Sequence, residues 1–437
     1  MKSTYFMLHR ITLKFIVIYI LLIIQIDLFG QINDGTVAKS DSLYKQESDS
    51  LKVVVDSLSQ RIKKLELILI EKSSLDTLLI GMQEVKDTSL IPEDRRSKRK
   101  QLDELLEYIS KRPGQLFFNG QALAIIQGNV VKNDKFATAQ GSIDIFATNS
   151  FSSSSILFID IKAIGGKGPD MYSETLGSLN GDASSVPDVD NFDRILVNEA
   201  WAEFLFLNNI FTITAGKINL TNYFDNNTVA NDPYTQFLTG IFINNPAFAV
   251  PLNSPGIRIR TTLLNRFYMQ VAFAKVDNSG DNIFKGIFKA AEIGFKLLPF
   301  TNFEANVHLF GYSQPFADHR YGFGISVDQT IAGFFKVFGR FGNNENILAD
   351  WYGIKSSWSV GAQFKENILG EPTISGLGYG LTKPADNSMK NEKNLEFYLR
   401  QSLNKWTSIS AHLQHVLDTG GVNGKYTLLG LRVNFTF

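Results

Sequence analysis

Residues 426–437 read Tyr-Thr-Leu-Leu-Gly-Leu-Arg-Val-Asn-Phe-Thr-Phe, and they alternate from end to end. Leu429, Leu431, Val433, Phe435 and Phe437 fall on one face; Leu428, Gly430, Arg432, Asn434 and Thr436 fall on the other. Successive side chains of a strand point to opposite faces, so this pattern describes a strand with one apolar and one wet side. An edge strand of a soluble sandwich would carry the same pattern. The rest of the chain separates the two readings.

Working backwards from this strand, alternating segments bounded by Gly or Asn recur as far as Gln115. The expected strands are 115–127, 136–148, 154–164, 194–206, 210–218, 256–263, 266–275, 287–297, 301–312, 320–330, 333–341, 355–365, 373–382, 393–402, 406–416 and 425–437. They number about sixteen, an even count of the kind single-chain bacterial barrels have. Tight links at Leu207–Asn209, Leu264–Asn265, Leu298–Phe300, Ile331–Ala332 and Leu403–Lys405 alternate with longer ones, of which 165–193 and 219–255 are the longest. Sorting of loop length by parity fits a transmembrane barrel, short turns at one end and long loops at the other. The fold expected is all-β: an antiparallel transmembrane β-barrel of about 16 strands, preceded by a short α-helical or coiled-coil region.

Composition agrees. Of 437 residues 12% are aromatic, with 35 Phe, and Lys plus Arg equals Asp plus Glu at 43 each, so no net field argues for nucleic acid. Mean hydropathy is near zero, as it is for a barrel that hides its apolar band in alternate residues. The chain has no Cys, which removes disulfides, thiolate metal sites and Cys nucleophiles.

Ahead of the strands the pattern changes. The apolar run Phe15–Ile24 follows Lys2, Arg10 and Lys14 and precedes a Gly30-Gln31 junction, the layout of a secretory signal over 1–30. Residues 31–112 are polar and helical in period. Leu51, Val55, Leu58, Ile62, Leu65 and Leu69 are spaced as a coiled-coil seam or as one amphipathic helix folded on its neighbours. A basic stretch, Arg95, Arg96, Lys98, Arg99 and Lys100, leads to a short helix over Leu102–Ile109, and Pro113-Gly114 marks the boundary with the barrel region, 113–437.

The densest segment is 198–245. Alternation sets Ala200, Ala202, Phe204 and Phe206 outward, which points Glu199, Trp201 and Glu203 into the lumen, and Arg258 and Arg260 share the wet face of their own strand. Carboxylates and guanidinium groups beside an indole plate suit a sugar, whose hydroxyls need donors and acceptors and whose ring has an apolar face. The same charges also serve simply to solvate and brace a wet wall. The loop 219–255 carries Tyr223, Phe224, Tyr234, Phe237, Phe242 and Phe248, too aromatic for a connector, and is expected to fold into the mouth with Asp225 and Asp232 near the solute path.

Glu199-Ala200-Trp201, Ala215-Gly216-Lys217, Asn222-Tyr223-Phe224-Asp225, Ala230-Asn231-Asp232 and Gln236-Phe237-Leu238 resemble the carbohydrate-selective porin family, the OprB type. So do Glu396, Tyr398 and Arg400, Leu413-Gln414 and Leu429-Gly430-Leu431-Arg432. The resemblance covers about 115–437. It implies a sixteen-stranded channel in the outer membrane of a diderm bacterium that passes sugars and other small solutes by diffusion. Phe437 is similar to the terminal aromatic of outer-membrane barrels, implying closure against the strand near Phe117 and recognition by the assembly machinery. General small-solute passage without sugar preference, and a structural tether acting through 31–112, are the alternatives. A cell-wall or homo-oligomeric contact is expected through 36–80.

No cofactor, metal or enzymatic activity is expected. No HExxH, GxSxG or P-loop spacing occurs. His308, His319, His412 and His415 are scattered, and the oxygen-rich Asp277–Asn282 loop lacks EF-hand spacing.

Overall fold

The computed structural model describes residues 114, 116–131, 135–152, 154–172, 174–185, 193–207, 210–263, 266–277, 281–298, 303–315, 320–368 and 371–437. The expected signal sequence, the helical region 31–112 with its 36–80 contact, and His319 lie outside the described residues.

The first eight strands are β1 (Leu116–Asn129), β2 (Phe136–Ser152), β3 (Ser155–Gly166), β4 (Arg194–Phe206), β5 (Phe211–Ile218), β6 (Ser254–Leu263), β7 (Phe267–Lys275) and β8 (Ile287–Leu297). The second eight are β9 (Ala305–Ser313), β10 (Tyr321–Ala332), β11 (Phe335–Asn344), β12 (Ile354–Ile368), β13 (Glu371–Pro384), β14 (Glu392–Ser402), β15 (Thr407–Leu417) and β16 (Lys425–Thr436). Among the described residues two short α-helices lie in the connections, α1 (Gly240–Ile243) and α2 (Asn346–Tyr352). Each strand pairs antiparallel with its sequence neighbour, and β1 pairs with β16 from Gln121↔Thr436 to Asn129↔Leu428. The result is a closed sixteen-stranded barrel.

Closure follows from the same alternation that defines the terminal strand. Leu429, Leu431, Phe435 and Phe437 are each about half exposed, whereas Leu428, Arg432 and Asn434 are buried inside. The seam ends on Gly120 rather than at Phe117: the Gly120 amide donates to the Phe437 carbonyl at 2.8 Å, and the Phe437 amide donates back at 2.9 Å. The Phe437 ring lies over Gly120, where a Cβ would sit 2.7 Å from its Cζ. Replacing Phe437 with Ser removes that ring from the seam. The fraction of chain that migrates as folded barrel without boiling is expected to fall severalfold; an unchanged fraction would count against the ring as a closing element.

Connections sort by parity as expected. Links 153–154, 207–210, 264–266, 298–304, 333–334, 369–370 and 403–406 lie at one end with both barrel termini; 167–193 and 219–253 lie at the other. Two expected boundaries are corrected. Ile331 and Ala332 belong to β10, which carries a register shift between Thr330 and Ala332, so the turn is Gly333-Phe334. The ninth strand starts at Ala305 rather than 301, leaving a longer link before it.

Candidate constriction in the barrel lumen

The connection 219–253 folds into the barrel. Short polar side chains bonding their own backbone build its turns, the reason Asn and Asp favour such conformations. Asn219 accepts from Thr221 N, Asn227 from Val229 N and Ala230 N, and Asp232 from Tyr234 N and the Thr235 hydroxyl. Asp225 adopts a left-handed φ of 60°. Between these turns Phe224, Phe237, Leu238, Ile241 and Phe242 are fully buried. Phe237 and Phe242 pack on Phe338 of β11 and Phe237 on Tyr398 of β14; Phe248 packs on Phe288, Phe310 and Tyr312 of β8 and β9. Aromatic contacts on both sides therefore fix the loop by area and ring geometry.

Polar contacts tie it to the wall in every direction. The Tyr234 hydroxyl donates to Asp144 of β2 and accepts from Lys162 of β3. Gln270 of β7 donates to Tyr223 O, and Asp225 N donates to Glu292 of β8. Thr228 donates to Asp328 of β10. Arg340 of β11 donates to the Phe242 and Asp225 carbonyls and to Asn231, each at 2.9 Å, and its Nε lies 3.3 Å from Asp225 Oδ2. Glu396 of β14 accepts from Leu238 N and Thr239 N at 2.8 Å each. Gln414 of β15 donates to Thr239, and Arg432 of β16 donates to Pro233 O.

The expected site residues fall as follows. Glu203, Thr214 and Arg258 stand side by side on β4, β5 and β6. Thr214 donates to Glu203 at 2.6 Å, and Arg258 lies 3.5 Å from Glu203 and over the Tyr223 ring at 4.2 Å. Trp201 packs on Phe158, which packs on Phe146, and its indole N–H donates to Glu199. Glu199 also accepts from Asn222 and Asn219 of the loop. Arg260 sits over the Tyr268 ring at 4.4 Å. Glu199, Trp201, Glu203, Asp225, Asp232 and Arg258 are each at most 4% exposed. These six are buried and do not line open lumen, whereas Arg260 is half-buried. Trp201 as placed here is covered by the wall and is not an open plate.

Sequence alone could not pair Ser with His. In the barrel, Ser410 Oγ lies 2.9 Å from His412 Nε2, and His412 Nδ1 lies 2.8 Å from Glu396. This is the order of a Ser–His–acid relay. Its acid, however, already accepts two loop amides, Ser410 accepts from Arg432 Nε, and all three groups are at most 3% exposed beneath the loop. A nucleophile needs a reachable substrate carbon and free oxyanion donors. The chain of contacts acts instead as an anchor for the loop.

A second loop, 167–193, was legible only by its length. Gly181 N donates to Leu238 O, and Gly240 N donates to Ser178 O, which joins it to the first loop. A Cβ on Gly240 would overlap the Gly177 carbonyl, so only glycine permits this approach. Asp182 is held by Lys162 at 2.6 Å, Gln140 and Ser142. Burial pushes its carboxyl up, and the Lys162 charge with these bonds outweighs burial, leaving it below the usual carboxylate range. Asp170 accepts from Leu179 N, Thr175, Ser178 and Asn180 N, yet burial dominates and raises it.

No family model matches the chain. An uncharacterized protein of Aquifex aeolicus (strain VF5) is 30% identical over 227 residues, 52% of this chain. The chain spans 64% of that relative, just under two thirds of its length. The high-pH structure of Pseudomonas putida OprB is similar at a TM-score of 0.59, with 14% identity, covering 74% of this chain and 94% of that one. The low-pH structure gives 0.53 with 14% identity, covering 79% and 100%. This likeness is one of fold.

Proposed function

We propose that this chain is a porin of the outer membrane, passing small solutes by diffusion and preferring carbohydrates, as the OprB-type resemblance implies. The observation that carries the reading is the inward loop 219–253, bonded to wall strands from β2 round to β16. A barrel that served only as an anchor has no need of a polar lumen with an aperture-setting loop. Lipid faces the Leu, Ile and Phe rows, and the polar rows face water.

Glu199, Glu203, Asp225, Asp232 and Arg258 act on solutes through the loop they position. Arg260 with Thr212, Thr262 and Tyr268, half-buried on the lumen side of β5–β7, meets a solute directly. The Arg260 guanidinium and the Thr212 and Thr262 hydroxyls offer hydrogen bonds to a sugar, while the Tyr268 hydroxyl is engaged by Glu292 and His308.

The test removes the loop. Excising 226–240 and rejoining the ends with a short Gly-Ser link is expected to raise single-channel conductance severalfold, and to erase any difference in liposome swelling between sugars and amino acids of matched size. Unchanged conductance and sugar uptake would sink the constriction; equal swelling for both solutes in the parent protein would leave a porin without sugar preference.

A further inference from the structure

The outward face of β13–β16 changes character towards the long-loop end. Thr382, Glu392, Asn394, Val416 and Leu428 are buried inside, so alternation turns Lys383, Lys393, Leu417 and Lys425 away from the lumen. Lys393, Leu417 and Lys425 stand in one row across β14, β15 and β16. The next outward row is Leu395, His415 and Thr427, with His415 Nδ1 2.9 Å from Thr427 Oγ1. Below it come Phe397, Leu413 and Leu429, all exposed. Charge therefore gives way to apolar side chains between Lys393 and Phe397, about 13 Å of strand. At the short-turn end of the same wall the outward strand positions carry Glu366 and Glu371 instead.

Along the lysine row positive charge is in excess. Lys390, in the link before β14, and Lys393 lie 3.5 and 3.2 Å from Asp418, so two ammonium groups share one carboxylate. Lys390 also donates to Asn423. Glu392 turns inward and accepts from Leu176 N and Gly420 N, and Asp386 accepts from Ser388 N. Lys383 stands two residues beyond Leu381, the partner of Lys393. Lys383 and Lys425 have no ion-pair partner among the described residues.

A lysine at the top of an apolar wall lays its stem on that wall and lifts its ammonium to the level of the lipid headgroups. Several together attract anionic lipid. Lys393 and Lys425 are two strand spacings apart, about 10 Å, so a headgroup with one phosphate meets one of them and a headgroup with two meets both. We infer that the outward face of β14–β16 at the long-loop end binds a glycolipid headgroup carrying two phosphates, one beside Lys390 and Lys393 and the other beside Lys425. Lys383 adds to the field over the first phosphate, and His415 with Thr427 offers ring nitrogen and hydroxyl to the sugar. The acyl chains run down over Phe397, Leu413 and Leu429. That this leaflet is the outer one of the outer membrane rests on the porin reading; the headgroup site rests on the wall itself.

Native mass spectrometry of the full-length protein in a neutral detergent, with diphosphoryl lipid A as the probe, tests the site. The parent is expected to retain the lipid, and K393Q/K425Q to retain it roughly tenfold less, as does high salt. K336Q, on the lumen side of β11, and E366Q/E371Q are expected to leave retention unchanged. Monophosphoryl lipid A and phosphatidylglycerol are expected to be held severalfold less than the two-phosphate lipid. Retention indifferent to K393Q/K425Q, or equal for one and two phosphates, would overturn the proposal. Unboiled gel migration reports that each variant folds, and K383Q/K425Q, which leaves the Asp418 contacts in place, repeats the test should K393Q/K425Q fail to assemble. A barrel that retains the lipid as expected yet conducts no current would leave the headgroup site standing and refute the porin reading.

Discussion

Replacing Arg340 with alanine is expected to free the inward loop from the β11 wall and to raise single-channel conductance with added open-channel noise. Arg340 is 3% exposed and holds Asp225, two loop carbonyls and Asn231 at once. Its loss leaves the Asp225 carboxylate, 1% exposed, with the Asn245 amide as its hydrogen-bond donor. Breaking a buried pair by deleting one partner costs about 3–5 kcal/mol, more than a loop turn is expected to withstand without moving. The cycle with Asp225→Asn identifies the cause. That substitution keeps a carbonyl acceptor for the Asn245 amide without a charge, so R340A/D225N should recover part of the loss, with a coupling of about 1–3 kcal/mol. Conductance and unfolding of R340A identical to the parent would show that this pair does not position the loop.

The second large effect is expected at the opposite wall, in Glu396→Ala. Glu396 accepts from two consecutive loop amides and from His412 in a site with no measurable exposure. Each buried donor left without an acceptor costs about 1–3 kcal/mol. A local loss of ~3 kcal/mol corresponds to about a hundredfold faster opening, which hydrogen exchange of the peptide spanning 232–245 reads directly. Glu396→Gln keeps one carbonyl acceptor and should lie between parent and alanine. His412→Ala tests the relay geometry: as an anchor it should change exchange in the same peptide. Unaltered exchange in E396A would remove the carboxylate from the anchoring scheme.

Much of the barrel was readable because period two is a local property. Alternation in 428–437 assigned inside and outside along most of β16, and the same pattern in 198–206 set Glu199, Trp201 and Glu203 on one face of β4, where all three are buried. Boundaries slipped where a local irregularity intervened. The register shift between Thr330 and Ala332 extends β10 through residues that read as a turn. The inward fold of 219–253 was also foreseeable, because so many aromatic residues in one connection need burial somewhere.

What the loop residues touch was not foreseeable. Asp225 and Asp232 read as solute-path groups, yet Asp225 is tied to Arg340, which lies 115 residues on, and Asp232 closes a turn with Thr235. The Ser410–His412–Glu396 chain likewise joins neighbouring strands to two amides from a distant loop.

Sequence by itself determined the strand order, the closing seam between β1 and β16, and the assignment of wet and apolar rows, since pleating and short turns act between residues close along the chain. Tertiary structure decided which wet residues are open to the lumen. Once the loop fills the space between opposite walls, a charge facing inward is neutralised by groups that only closure of the barrel brings within reach, and the residues richest in chemical promise became those that hold the loop in place.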